Sequence, residues 1–122
     1  MAEILIYYNT KIKQYTEGWQ MLTKRELGTA ARVLHALAHP VRLGTMQALR
    51  AGEMTVGELH GRLGCSQSQM SQQLKIMVDA GLVGCRREGV SRRCFVRNPD
   101  FLKVFECMER HLQNVYGKED AS

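Results

Sequence analysis

The sequence of 122 residues is poor in proline and in aromatic residues, and it lacks any apolar run that approaches the ~20 residues needed to span a bilayer. The N-terminal apolar stretch, Ile4 to Tyr8, is shorter than the hydrophobic region of a secretion signal, and no basic residue precedes it. None of the four cysteines forms a C-x-x-C pair, which argues against a zinc ribbon or a redox dithiol motif. We therefore expect one cytoplasmic domain without a membrane segment or a cofactor, whose thiols stay mostly reduced.

Acidic residues are scarce in the middle of the chain. The net charge is +5, and between Pro40 and Asn98 nine basic residues stand against four acidic ones. The rest of the chain has eight of each, so the whole positive excess lies in this segment. A concentrated positive field attracts a polyanion, although a solvated basic surface is the simpler alternative.

The spacing of the apolar residues predicts a mainly α-helical protein with six helical segments and one small β-hairpin. A first helix is expected from Tyr8 to Leu22, and a second from Lys24 to Leu37. His39 is expected to cap a third helix that begins at Pro40, and Asn98 to cap the last helix. The first helix carries a stripe at spacings of four and three: Tyr8, Ile12, Tyr15, Trp19 and Leu22.

Two short helices in the centre of the chain form a predicted helix-turn-helix. Thr55 and Glu58 have the spacing of a capping box, and so do Ser66 and Gln69 eleven residues later. Gly64 can end the first of these helices in a left-handed conformation. The second helix, from Ser66 to Ala80, is therefore predicted to be a recognition helix.

The outer face of this helix has the chemistry to read DNA. Glutamine can make a bidentate contact to the edge of adenine, and serine can donate or accept a hydrogen bond. The N-terminal part of a recognition helix is the part that enters the major groove. The predicted contact residues are Gln67, Ser68, Ser71, Gln72 and Lys75, and the alternative is a polar face that meets only solvent.

An arginine-rich hairpin from Leu82 to Val96 follows the recognition helix directly. As the wing of a winged helix-turn-helix, it would lay its arginines along the phosphates or into the minor groove. The alternative is a charged edge that prevents aggregation. The predicted contact residues of the wing are Arg86, Arg87, Arg92 and Arg93.

The hairpin also contains a candidate thiol sensor. With Gly89 and Val90 at its centre, Cys85 and Cys94 face each other, and directly opposed Cα atoms lie within disulfide reach. An oxidant or a thiophilic ion such as arsenite could bridge them. The alternative is a pair of small apolar residues on one face of the hairpin.

Several short stretches together resemble the ArsR/SmtB family of bacterial winged-helix repressors. They run in the family's order over about 31–96: His35 to Leu43, Val56 to Leu59, Ser66 to Leu74, Gly81 to Val83, and Arg86 to Gly89. The resemblance implies a homodimer built on the first and last helices, which binds an operator and is released by a small inducer. Two apolar stripes on those helices, more than one small core needs, independently favour a dimer.

The chain departs from the metal-sensing members that it resembles. Met54, Thr55 and Val56 stand where those members have a Cys-x-Cys, and the spacing of the acidic and histidine residues of the last helix does not fit their zinc site. We therefore expect no metal site. The resemblance is closer to the metal-independent, thiol-sensing branch, but Cys107 lacks that branch's partner because no cysteine lies between Val41 and Arg50.

The expected organisation is a dimerising helical extension over 1–23, a winged helix-turn-helix DNA-binding domain over 24–98, and a dimerisation helix with a short tail over 99–122. The expected function is that of a DNA-binding repressor, with double-stranded DNA, a second copy of the chain and a small inducer as partners. Two alternatives stay open for the winged-helix protein: a protein-interaction module, or a metal- or metalloid-responsive repressor with unusual cysteines. A small thiol enzyme is disfavoured, because no Cys-His motif stands out.

Overall fold

The computed structural model of the chain describes residues 2–16 and 21–117. Its helices are α1 (Ala2–Thr16), α2 (Lys24–Leu37), α3 (Pro40–Leu49), α4 (Val56–Leu63), α5 (Gln67–Asp79) and α6 (Leu102–Tyr116). Its strands are β1 (Met54–Thr55), β2 (Val83–Glu88) and β3 (Ser91–Val96), and a short 3₁₀ turn (Pro99–Phe101) leads into α6. The mainly helical winged helix-turn-helix predicted from the sequence is confirmed.

Helix boundaries in the centre of the chain are set by the predicted caps. His39 Nδ1 accepts a hydrogen bond from the Val41 amide at 3.1 Å and caps α3. Asn98 Oδ1 accepts one from the Asp100 amide at 3.0 Å, but it caps the 3₁₀ turn and not the last helix as predicted, because α6 begins at Leu102 without a side-chain cap. Gly64 has φ +68° and ends α4 in the left-handed region, where a side chain would be strained. This residue makes the turn between α4 and α5 tight.

The first helix differs from its prediction, because it begins at Ala2 and ends at Thr16 instead of running from Tyr8 to Leu22. Thr23 has the extended conformation of an N-cap, and its side chain accepts a hydrogen bond from the Glu26 amide at 3.1 Å. The helix that follows Thr23 is therefore a new one, and Leu22 lies outside any helix. Trp19 and the side chains of Tyr8 and Tyr15, which belong to the predicted stripe, lie outside the described part of the chain.

The wing belongs to a three-stranded antiparallel sheet with the order β1-β3-β2. The sequence did not predict β1, which has two residues and pairs Met54 with Cys94. β2 and β3 pair in the predicted register, with Cys85 opposite Cys94 and Arg87 opposite Arg92. The added strand fixes the base of the wing to the start of α4.

The core lies between α3, α4, α5 and the base of the wing. Its fully buried side chains come from every one of these elements: Met46, Leu59, Met70, Leu74, Met77, Leu82, Val83 and Cys94. Because the recognition helix and the wing share this core, their relative position is fixed by close packing.

Candidate nucleic-acid interface

The recognition helix α5 is anchored at its start and along one face. Ser66 Oγ accepts the Gln69 amide at 3.1 Å, and the Gln69 side chain accepts the Ser66 amide at 3.3 Å, which completes the predicted capping box. Met70, Leu74 and Met77 are fully buried. This anchoring leaves the opposite face of α5 to solvent.

The predicted base-reading side chains lie on that outer face. Gln67, Ser68 and Gln72 are exposed, and Ser71 is half-buried. Lys75 is exposed and forms only a 3.6 Å ion pair with Asp79, one turn further along α5. Such an exposed pair contributes little, about 0.3–0.5 kcal/mol, so Lys75 can exchange Asp79 for a phosphate.

A cleft joins the recognition helix to the tip of the wing. It has a volume of about 240 Å³, and Gln67 and Ser71 form its wall on the side of α5. Ser91 and Arg92 form the wall on the side of the wing, and the first residues of α4 close one end. The structure therefore brings together polar side chains from α5 and a cation from the wing on one concave surface.

The four wing arginines fall into two pairs with different surroundings. Arg86 forms a bidentate ion pair with Glu53, and its guanidinium also lies 5.7 Å from the centre of the Phe95 ring. Arg93 Nε donates to Glu88 at 2.7 Å. These two arginines are thus already neutralised by neighbouring carboxylates, which the sequence did not predict.

The pKa values of these groups reflect the ion pairs. The hydrogen bonds that Arg86 donates to Glu53 lower the pKa of the Glu53 carboxyl and raise the pKa of the Arg86 guanidinium. The hydrogen bond that Arg93 donates to Glu88 likewise raises the pKa of Arg93. These shifts favour the charged forms of Glu53, Arg86 and Arg93.

Arg87 and Arg92 form the second pair. They are directly opposed across β2 and β3, both are exposed, and among the described residues neither has an acidic partner. Opposed residues share one face of a sheet, and successive residues alternate between faces. Arg87 and Arg92 therefore lie on the face that carries Cys85 and Cys94, which is the face that packs against the helices.

One arginine that the sequence assigned to the basic excess has an internal role. Arg42 is only 8% exposed, and its Nε donates to the Ala36 carbonyl at 2.6 Å. Its Nη1 donates to Gln73 Oε1 on α5, also at 2.6 Å. Arg42 therefore does not belong to the basic surface; it connects the C-terminal end of α2 to the recognition helix.

Replacement of Arg42 by alanine should lower the free energy of unfolding by about 2–4 kcal/mol, because buried acceptors on α2 and α5 lose a charged donor. Urea denaturation followed by circular dichroism measures this change. Arg62→Ala removes an exposed arginine of α4 and serves as the control, with an expected change within about 0.5 kcal/mol. Equal denaturation midpoints for the two variants would contradict the internal role of Arg42.

The cysteines occupy different environments, and none is in a disulfide. Cys85 and Cys94 face each other with their Sγ atoms 2.7 Å apart. Cys65 is half-buried in the turn before α5, and Cys107 is exposed on α6. Within residues 2–16 and 21–117, no three His, Cys, Asp or Glu side chains cluster as metal ligands would, and no helix has the length and hydrophobicity to cross a membrane.

These features define the class of the protein. They are the parts of a winged helix-turn-helix DNA-binding protein: a capped recognition helix, a tight left-handed turn before it and a basic wing beside it. A helix-turn-helix domain family matches residues 37–86. The chain belongs to the ArsR/SmtB family of transcriptional regulators.

Known relatives agree with this assignment. The chain is 37% identical over 83 residues to the probable mercury resistance operon repressor of Streptomyces lividans, a stretch that covers 66% of either chain. It is 31% identical to the transcriptional regulator Rv0081 of Mycobacterium tuberculosis, over 70% of this chain and 75% of that one. The matched stretches span 50–66% of the length of the mercury resistance repressor and of the biofilm growth-associated repressors that also match.

Solved structures show the same fold. The crystal structure of Rv0081 superposes with a TM-score of 0.70 at 28% identity, and covers 80% of this chain and 98% of that one. The solution structure of the homodimeric winged helix-turn-helix DNA-binding domain of Mb0332 from Mycobacterium bovis has a TM-score of 0.68 at 29% identity, over 76% of this chain and 93% of that one.

Proposed function

We propose that the chain is a cytoplasmic transcriptional repressor that binds a pseudo-palindromic operator as a homodimer and is released by a thiol-reactive or other small inducer. The observation that carries this proposal is the cleft in which Gln67 and Ser71 of the recognition helix lie opposite Arg92 of the wing. One duplex can contact both walls of this cleft, with base edges against α5 and a phosphate strand against the wing. Relatives that are named as repressors support repression over activation.

In this arrangement the polar side chains of α5 have separate roles. Gln67, Ser68, Ser71 and Gln72 read base edges in the major groove, since amide and hydroxyl groups can pair with the donors and acceptors there. Lys75 lies one turn further from the helix start and contacts the backbone. Arg87 and Arg92 contact phosphates and contribute affinity without sequence information. Arg86 and Arg93 shape the wing through their ion pairs and add only to the general positive field.

The second copy of the chain is expected to cover α1 and α6. Every side chain of α1 that the structure describes is exposed, including Ile4, Leu5 and Ile6, and α6 has no buried residue. Such apolar surfaces on two helices mark an interface, and a homodimeric relative supports a second copy as the occupant. Residues 1–23 and 99–122 are then the dimerising parts, and 24–98 is the DNA-binding domain.

A twofold dimer presents two recognition helices to one face of the duplex. The operator is then a pseudo-palindrome with half-sites about one helical turn, roughly 34–36 Å, apart. Selection of fragments from a random DNA pool by the purified protein identifies this operator directly. A protein-interaction module would retain no specific fragment, and such a result would reject the proposal.

Gln67→Ala and Gln72→Ala should each weaken binding to the selected operator by at least about 30-fold, because a good bidentate base contact contributes about 1–3 kcal/mol and each substitution removes it from both half-sites of the dimer complex. Binding to unrelated DNA and the dependence on salt should stay unchanged, since no phosphate contact is lost. Fluorescence anisotropy with operator and scrambled duplexes measures both effects. Gln113→Ala on α6 removes an exposed amide far from the interface and is the matched control.

A further inference from the structure

The two facing thiols of the wing have unequal access to solvent. Cys85 is half-buried, whereas Cys94 is fully buried. Burial, together with the hydrogen bond between the two thiols, raises the pKa of Cys94 to about 12. Cys94 therefore stays protonated at neutral pH, and Cys85 is the thiol that a dissolved reagent meets first.

The geometry of the pair favours a covalent bond over a bridging ion. Directly opposed strand residues have Cα atoms about 4.5–5.5 Å apart, inside the range of about 4.4–6.8 Å for disulfides. The two Sγ atoms are in direct contact, 2.7 Å apart, so little movement is needed to join them. The described residues also supply no third ligand of a metal cluster.

We propose that Cys85 and Cys94 close into a disulfide when the protein meets a hydroperoxide, and that this disulfide weakens operator binding. In the first step the Cys85 thiolate attacks the peroxide, the O–O bond breaks, and Cys85 becomes a sulfenic acid while the departing hydroxide takes up a proton as water. In the second step Cys94 sulfur attacks the sulfenic sulfur, and the hydroxyl leaves as water with the Cys94 proton. Two thiols and one hydroperoxide thus give one disulfide and two waters when the oxidant is hydrogen peroxide.

The disulfide can act on the DNA-contacting end of the wing because it lies on the same face. Arg87 and Arg92 lie two residues nearer to the wing tip than the cysteines on the same face of the hairpin, and Arg92 shares the cleft with the recognition helix. A disulfide constrains its Cβ–S–S–Cβ angle to about ±90°, which changes the twist between the two strands. Since Cys94 is fixed in the core and paired with Met54, the adjustment falls on the exposed wing tip.

The test uses the full-length protein, with and without hydrogen peroxide, and two readouts. Intact mass and thiol titration should show the wild type losing two hydrogens and two of its four thiols, and reductant should restore both. Operator affinity should fall by about 10- to 30-fold at the same time. This is the effect expected when each of the two wings of the dimer loses about one phosphate contact. Cys85→Ser should abolish both changes, whereas Cys65→Ser/Cys107→Ser should retain them.

This regulatory inference rests on the proposed function, but the two can fail separately. A reduced protein that binds its operator, together with an oxidised protein of unchanged mass or unchanged affinity, would overturn the switch and leave the DNA-binding function intact. A reduced protein that retains no DNA fragment would overturn the proposed function and the regulatory step, while mass and thiol titration would still decide whether the disulfide forms. Cys94→Ser places a hydroxyl in the core and can destabilise the fold, so its result is compared with that of Cys85→Ser and is not used alone.

Discussion

Replacing Arg87 and Arg92 together by glutamine should weaken operator binding by about three orders of magnitude at 0.15 M salt. These two arginines are exposed, opposed across the wing and free of acidic partners among the described residues. Each phosphate contact steepens the plot of log binding constant against log salt concentration by about 0.9. At 0.15 M salt, one contact therefore raises the affinity roughly fivefold above its value at 1 M salt. A dimer loses four such contacts, so the slope should become shallower by about four.

The matched control removes the same number of charges from the same hairpin. Arg86→Gln/Arg93→Gln changes the net charge equally, but these side chains already pair with Glu53 and Glu88. We expect this control to lose less than about tenfold in affinity and to keep most of its salt slope, because long-range attraction is screened beyond about 8 Å at this salt concentration. Anisotropy titrations over a range of salt concentrations measure both quantities. Equal losses in the two double variants would show that only the total charge of the wing matters.

The distinction between these arginine pairs depends on contacts that a sequence does not display. The alternation of residues along a strand predicts which arginines share a face, and the register from Cys85 to Cys94 follows from the position of the turn. The carboxylate that neutralises Arg86 belongs to Glu53, 33 positions earlier in the chain. It comes near only because β1 adds to the sheet.

Local signals, in contrast, predicted the helix-turn-helix well. The caps at His39, Thr55 and Ser66 depend on bonds between residues two or three positions apart, so the sequence is sufficient to place them. The first helix was predicted less well: it begins at Ala2, six residues before the predicted start at Tyr8, and the last residue of the predicted stripe, Leu22, lies outside any helix. Apolar spacing predicts which face of a helix is buried, but it contains no cap that would fix where the helix begins or ends.

The burial of Arg42 is a further feature that depends on contacts between distant parts of the chain and that the sequence did not predict. Counting charges along the chain assigned it to the basic surface, but packing places it inside, where it binds the end of α2 and Gln73 of α5. A buried arginine is exceptional unless its donors are satisfied. Its partners are backbone carbonyls and a side chain 31 positions away, which no local pattern indicates.

The second large effect is expected at the apolar face of α6. On this helix Leu102 and Phe105 pack on the core, whereas Met108 and Leu112 are exposed by 47% and 46%, on the side that the proposed dimer buries. Met108→Glu/Leu112→Glu should convert the protein to a monomer, because four carboxylates would be buried without partners across the interface. Operator affinity should then fall into the range of non-specific binding, about 10⁻⁴–10⁻⁶ M, since one recognition helix can engage only one half-site.

Sedimentation velocity measures the oligomeric state, and circular dichroism checks that the monomer keeps its helices. Gln113→Glu adds a carboxylate to an exposed position of the same helix, about 100° or more around its axis from Met108 and Leu112. This control should remain dimeric and bind the operator like the wild type. If the Met108→Glu/Leu112→Glu protein remained a dimer, the interface would lie elsewhere. If it were a folded monomer that still bound the full operator tightly, a single recognition helix and wing would be sufficient for binding. In that case α6 would have a role other than pairing two DNA-binding domains.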